Sequence, residues 1–217
     1  MQFRERFLPL LLWGLIVLAG SSIRLNVMVG EGYATFSWLM IMLPMTFLFF
    51  PLRDAGVAGG GIWLLTHLSR SFSITLGIPT LFASLSWVAS KRPKSLQDAL
   101  MHVLLPLTCI GLFCFSPTGS HAKPYSLYWC IPIALYLIPL QGVFDYMGRA
   151  LKSTFVAHAL GSVIWVYCVP MSSAQWLALI PVVAIERLAI SLMCVVIALT
   201  FAKALKILSP NTSSVAG

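Results

Sequence analysis

An all-α, polytopic transmembrane helical bundle is the fold the sequence predicts, and three observations predict it. Of 217 residues, 59% are hydrophobic and only 9% are charged, against about 25% charged in a soluble domain. Mean hydropathy is +0.92. Apolar runs of near-spanning length alternate with short basic clusters. A chain so poor in polar surface is neither a water-soluble monomer nor a disordered one. Its length suits one transmembrane domain, residues 1–208, followed by a flexible polar tail at 209–217.

A span needs about 20 mostly apolar residues. Phe7–Ile23 is the first candidate, behind Arg4 and Arg6. It has the outline of a signal peptide, with Ala19-Gly20-Ser21-Ser22 after the apolar run, but in a multi-spanning chain such a run stays as the first span. Ala34–Leu52 is the second. The stretch from Ala55 to Ser90 reads as two short or broken helices, interrupted by Ala58-Gly59-Gly60-Gly61, by His67 and Arg70, and by Leu76-Gly77-Ile78-Pro79. Leu96–Ser116, Tyr125–Gly142, Ser153–Pro170 and Ala174–Leu205 complete the set, the last with Pro181 as a kink candidate. The count is six full spans plus a two-legged broken segment, or eight spans.

The net charge is +8. The basic residues lie in short clusters between apolar runs, which points to positive-inside topology rather than to nucleic acid. With the N-terminus inside, Arg4, Arg6, Arg53, Lys91, Arg92, Lys94, Arg149, Lys152, Lys203 and Lys206 fall on the inner side. Arg24, Arg70 and Lys123 fall outside. Both termini are then cytoplasmic, in a bacterial cytoplasmic membrane. Cys109, Cys114, Cys130, Cys168 and Cys194 sit in apolar runs without a CxxC pair and read as small apolar fillers.

Ionisable residues inside a span cost a few kcal/mol and are candidate functional groups. Glu186 and Arg187 lie about 15 Å into the last run, near its midplane. Adjacent on a helix, they point about 100° apart, so each is expected to meet a different partner. Thr154, His158, Ser162 and Trp165 share one helix face. This is either a packing face, with Gly161 allowing close approach, or a ligand-binding face. His67 and Arg70, three apart, either bind an anionic group or mark a helix end. Tyr125, Tyr128 and Trp129, behind the polar loop 116–123, form an aromatic belt or stack on a flat ligand, and Trp63, Trp87 and Trp176 carry the same two readings. His102 reads as interfacial. HExxH, GxSxG and Walker A motifs are absent from the sequence, so no metal, cofactor or ATP hydrolysis is assigned.

Thr154-Phe155-Val156-Ala157-His158-Ala159-Leu160-Gly161-Ser162, and Trp176-Leu177-Ala178-Leu179-Ile180-Pro181 leading to Glu186-Arg187-Leu188, set in a small bundle with an aromatic-rich outer half, resemble the membrane-embedded substrate-binding (S) subunits of energy-coupling factor vitamin transporters. The resemblance implies capture of a vitamin-like solute from outside and its delivery through a coupling subunit and ATPases. On that reading the chain is a transport subunit for a small solute, partly aromatic or anionic. Its candidate contacts are Glu186, Arg187, His158, Ser162, Trp165, His67, Arg70, Tyr125, Trp129 and Trp176. Two other readings stand beside it. One is an intramembrane enzyme using Glu186 and His158 as acid or base on a lipid or small amphiphile; the other is a membrane helper protein with no ligand.

Overall fold

The computed structural model describes residues 2–20, 24–29, 32–68 and 74–208, and places side chains at 9–20, 41–51, 53–62 and 77–204. Its helices are α1 (Gln2–Gly20), α2 (Trp38–Phe49), α3 (Leu52–Leu68), α4 (Ile74–Ala89), α5 (Leu96–Phe115), α6 (Cys130–Leu137), α7 (Val143–Cys168) and α8 (Ser173–Leu208). The expected helical bundle is present, but the chain is not purely helical. β1 (Arg24–Val29) and β2 (Gly32–Ser37) pair antiparallel, from Arg24↔Ser37 to Val29↔Gly32. Leu25, Val27 and Val29 alternate with Arg24, Asn26 and Met28, the period of two that strands use.

Among the described residues three helices are long and apolar enough to cross a membrane: Leu96–Phe115, Val143–Cys168 and Ser173–Ala204. That supports a membrane protein but not six full spans. In α1 the charged residues Arg4, Glu5 and Arg6 occupy the first turns, leaving Pro9–Gly20 as the apolar part. The run Ala34–Leu52 is divided between β2, a 12-residue α2 and the start of α3. The run Tyr125–Gly142 becomes a 3-10 segment (Lys123–Trp129) and the 8-residue α6. Pro124, Pro132 and Pro139 punctuate it, each removing a backbone donor. The Ala55–Ser90 stretch does form two short helices, α3 of 17 residues and α4 of 16. The helix nevertheless continues through Gly59-Gly60-Gly61 and through Pro79, where breaks were expected. Close packing accounts for Gly59 and for Pro79. Gly59 lies against the Phe47 ring, and the Pro79 ring lies against Gly161 of α7, where a Cβ would meet it at 3.4 Å. Arg70 and the 209–217 tail lie outside the described residues, as do the side chains of His67 and Trp63.

The chain runs back and forth between two ends. At one, α4 delivers the turn 90–95 and α7 begins; Lys91 Nζ donates to the Phe50 carbonyl and Lys94 Nζ to that of Tyr136. At the other lie loop 116–122 and the link from α7 to α8, tied by Ser173 Oγ donating to the Thr118 carbonyl (2.9 Å). They are called the basic end and the loop end below. The segment 123–142 returns the chain from loop end to basic end although it holds no spanning helix.

α7 stands at the centre, packed against α4, α5, α6 and α8. Its buried residues include Gly148, Ala150, Ser153, Thr154, Ala157, Ala159 and Ser162. Small side chains let neighbouring backbones approach closely. One apolar cluster gathers Trp13, Met42, Met45, Phe50, Trp87 and Cys194 with Phe49 and Phe201; the other gathers Phe113, Tyr125, Trp129, Phe155 and Trp176. Within the first, the buried Trp13 indole N–H donates to Thr46 Oγ1 (2.9 Å).

Two glycines test this packing. A Cβ on Gly119 would overlap the Phe113 carbonyl oxygen and Ser116 Oγ, whereas one on Gly60, in α3, meets nothing within 4 Å. Gly119→Ala is expected to destabilise the fold by about 1–3 kcal/mol through overpacking. Gly60→Ala is expected to be neutral or to stabilise by about 0.5–1 kcal/mol through helix propensity. Melting of both variants in detergent reads the two signs.

Candidate functional site

Five of the residues singled out by sequence come together at the loop end. The Trp129 indole N–H donates to His158 Nδ1 (3.1 Å), and Tyr125 Oη lies 2.8 Å from His158 Nε2 and 3.3 Å from Ser162 Oγ. These contacts assign the hydrogens. A ring nitrogen that accepts from an indole carries no proton, so the His158 proton is on Nε2 and donates to Tyr125 Oη. The phenol hydrogen is then free to donate to Ser162. Trp176 packs edge-on against Phe113 and Tyr125, at centroid distances of 5.1 and 4.9 Å. Its buried Nε1 has no hydrogen-bond partner.

A broad groove of about 580 Å³ opens at the same end, lined by Thr118, Val166, Tyr167, Met171 and Ser172 among others. Val166 and Met171 also pack against the aromatic cluster, so groove and cluster share a wall. The volume is in the range of small-molecule sites, about 300–1,000 Å³.

The other candidates lie elsewhere. Trp165 is exposed and does not join its expected face. Thr154 also parts from His158, its Oγ1 lying 3.4 Å from Ser191 Oγ on α8. The expectation that Glu186 and Arg187 face different partners is corrected: Arg187 Nη2 donates to Glu186 Oε1 at 2.8 Å. Their Cα–Cβ directions diverge, but both side chains are long enough to fold back and meet. Tyr125 and Trp129 are buried rather than set in a surface belt. Tyr128 Oη donates to the Ile180 carbonyl (2.7 Å), and Trp87 belongs to the apolar core. The backbone of His67 lies in α3; its side chain and Arg70 are outside the described set.

The basic end holds a second polar group that sequence reading missed. His102 Nδ1 lies 2.7 Å from Asp98 Oδ1 and His102 Nε2 lies 2.7 Å from Ser86 Oγ. Lys152 Nζ is 3.6 Å from the same carboxylate oxygen, and the Lys94 backbone N–H donates to Asp98 Oδ2 (2.9 Å). Asp98 accepts the Nδ1 proton and leaves the Nε2 lone pair for the Ser86 hydroxyl. The order of groups is that of a Ser-His-Asp triad. However, Ser86 and His102 are 0% exposed, so as built the set locks α4, α5 and α7 to one another. His102 is buried inside the bundle, at its basic end. It sits in the π-helical turn Leu100–Leu104, a distortion that re-aims side chains. Half the signal was in the sequence: Asp98 and His102 are four apart and share a helix face. Ser86 and Lys152 arrive from other helices.

Among the described residues no group of three or more His, Cys, Asp or Glu side chains is placed to hold a metal. No family model, curated protein or solved structure matches the chain.

Removing the Asp98 carboxylate strands Lys152 in the bundle and unlocks the His102 tautomer. Asp98→Ala is expected to cost about 3–5 kcal/mol, the range for breaking one side of a buried pair. Asp98→Asn, which keeps an acceptor for His102, is expected to cost less. Thermal melting of the purified variants in one detergent measures the difference.

Proposed function

We propose that the chain is a membrane transport subunit that captures a small, partly aromatic, vitamin-like solute from outside and passes it inward. Separate energising subunits, a transmembrane coupling subunit and ATPases, drive delivery. The observation that carries this reading is the groove at the loop end, whose wall residues Val166 and Met171 pack on the Tyr125–Trp129–His158–Trp176 cluster. In the groove itself Tyr167 is the aromatic side chain; the buried rings and the unpartnered Trp176 indole N–H lie behind Val166 and Met171, and on this reading a flat solute reaches them by displacing that wall. The groove lining includes no Lys or Arg, and Arg187, paired with Glu186, lies away from it, which favours an aromatic solute over an anionic one.

Native mass spectrometry of the purified protein, followed by titration of the released molecule against tryptophan fluorescence, tests the proposal. The expected result is a co-purifying aromatic solute that quenches fluorescence and raises the melting temperature. Trp176→Phe keeps the ring but loses the N–H, and is expected to weaken affinity about tenfold, the equivalent of one hydrogen bond of about 1.4 kcal/mol. A purified protein that carries no small molecule and shows no thermal shift with flat heteroaromatic solutes would sink the proposal.

The orientation proposed with it puts the basic end and both termini in the cytoplasm and the groove outside, in a bacterial cytoplasmic membrane. Lys91, Arg92, Lys94, Arg149 and Lys152 lie at or beside that end, as the positive-inside rule requires. The back-and-forth path supplies an even number of crossings if α1 to α4 and the 123–142 segment each traverse. A C-terminal alkaline phosphatase fusion is expected to be inactive and a C-terminal fluorescent-protein fusion bright; the reverse pattern refutes the orientation.

A further inference from the structure

A small cavity lies midway along the bundle among α2, α4, α7 and α8. It measures about 20 Å³ and is lined by Thr80, Ser153, Thr154, Ala157 and Arg187 among others. Arg187 is 8% exposed, and its Nε, fully buried, has no hydrogen-bond partner. Glu186 takes only an Nη2 hydrogen. We propose that this cavity is a binding site for a single internal water molecule that accepts the Arg187 Nε–H.

The donor and acceptor inventory selects the occupant. The Ser153 hydroxyl donates to the Ala83 carbonyl (2.9 Å), and Thr154 Oγ1 donates to that of Leu151 (3.2 Å). With their hydrogens committed, both show the cavity oxygen lone pairs. Ser191, against Thr154, likewise donates to the Arg187 carbonyl (2.8 Å). The site therefore sets the Arg187 Nε–H beside the acceptor oxygens of Ser153 and Thr154. Water matches that set, accepting once and donating up to twice. A halide only accepts, and would face those lone pairs as well as the nearby Glu186 carboxylate. Size agrees, since about 10–15 Å³ is enough for one water but not for an organic solute. The inference stands apart from the transport reading, because the groove and aromatic cluster lie at the loop end and share no residue with this cavity.

The direct test is NMR of the wild-type protein in detergent, labelled with 15N-arginine, with the Arg187 Hε resonance assigned by its loss in Arg187→Lys. The expected result is a cross-relaxation peak between Arg187 Hε and water, with no shift when chloride is replaced by bromide. Absence of the water peak, or a resonance that titrates with bromide, overturns the proposal. A second variant reads the same site by sign. Ala157→Val pushes methyl groups into the cavity. In a dry cavity that filling raises the melting temperature. In a cavity whose water satisfies Arg187 it lowers the melting temperature by several degrees, and the Hε–water peak disappears. A raised melting temperature overturns the proposal.

Discussion

Close approach to α7 is the constraint on which the rest of the bundle depends. A polar group held in an apolar interior costs free energy unless it finds a partner within hydrogen-bond reach. The partners here lie on different helices, so reach means backbone proximity. Ser153 can donate to the Ala83 carbonyl only because its own side chain is short and α4 lies directly against it. Gly161 makes room for the Pro79 ring, and α4 can therefore keep a proline near its start without leaving the bundle. A large side chain on that face would hold α4 away and leave the Ser153 and Ser86 contacts unmade. In a membrane, where burial from lipid gives helices little reason to associate, small residues and interhelical hydrogen bonds take over that role.

The charges follow the same logic. Asp98 is set against Lys152, His102 and a backbone N–H, and Glu186 against Arg187. Buried pairs of this kind add little net stability over well-packed apolar residues, but losing one partner is expensive. Their effect is selective. A slip of α5 along α7 by one residue would turn Asp98 away from Lys152, and no other acidic side chain on α5 could replace it. As a hypothesis for this chain, the pairs fix which helix faces meet. A double-mutant cycle on Asp98 and Lys152 with coupling near zero would argue against it.

What the sequence made legible was what hydropathy measures. Leu96–Phe115 and the helix ending at Leu208 emerged close to their expected bounds because length and apolarity alone define them. β1 escaped because a long hydropathy window averages over the Leu25/Val27/Val29 alternation. The 123–142 segment escaped because its composition is spanning while Pro124, Pro132 and Pro139 deny it a helix of that length. At the site, Tyr125, Trp129, His158, Ser162 and Trp176 did converge, His158 and Ser162 through helix periodicity and the rest through the return of the chain. Glu186 and Arg187 misled because backbone geometry gives the direction of a side chain's first bond, and both side chains are long enough to turn back. Ser86 was invisible: a serine in an apolar run carries no sign of the histidine that meets it from another helix.

The two ends of the bundle differ in what it takes to part them. At the basic end, separating α4, α5 and α7 would strand the Asp98 carboxylate and the Lys152 ammonium, at several kcal/mol. At the loop end the contacts among Tyr125, Trp129, His158 and Ser162 are neutral hydrogen bonds, each worth about 1 kcal/mol net. The ring packing around them is apolar. The groove therefore opens at the end that takes less free energy to part. Between the ends, the Glu186–Arg187 pair marks where the neutral half of the bundle gives way to the charged half. A solute that reached it would have to compete with an ion pair already formed.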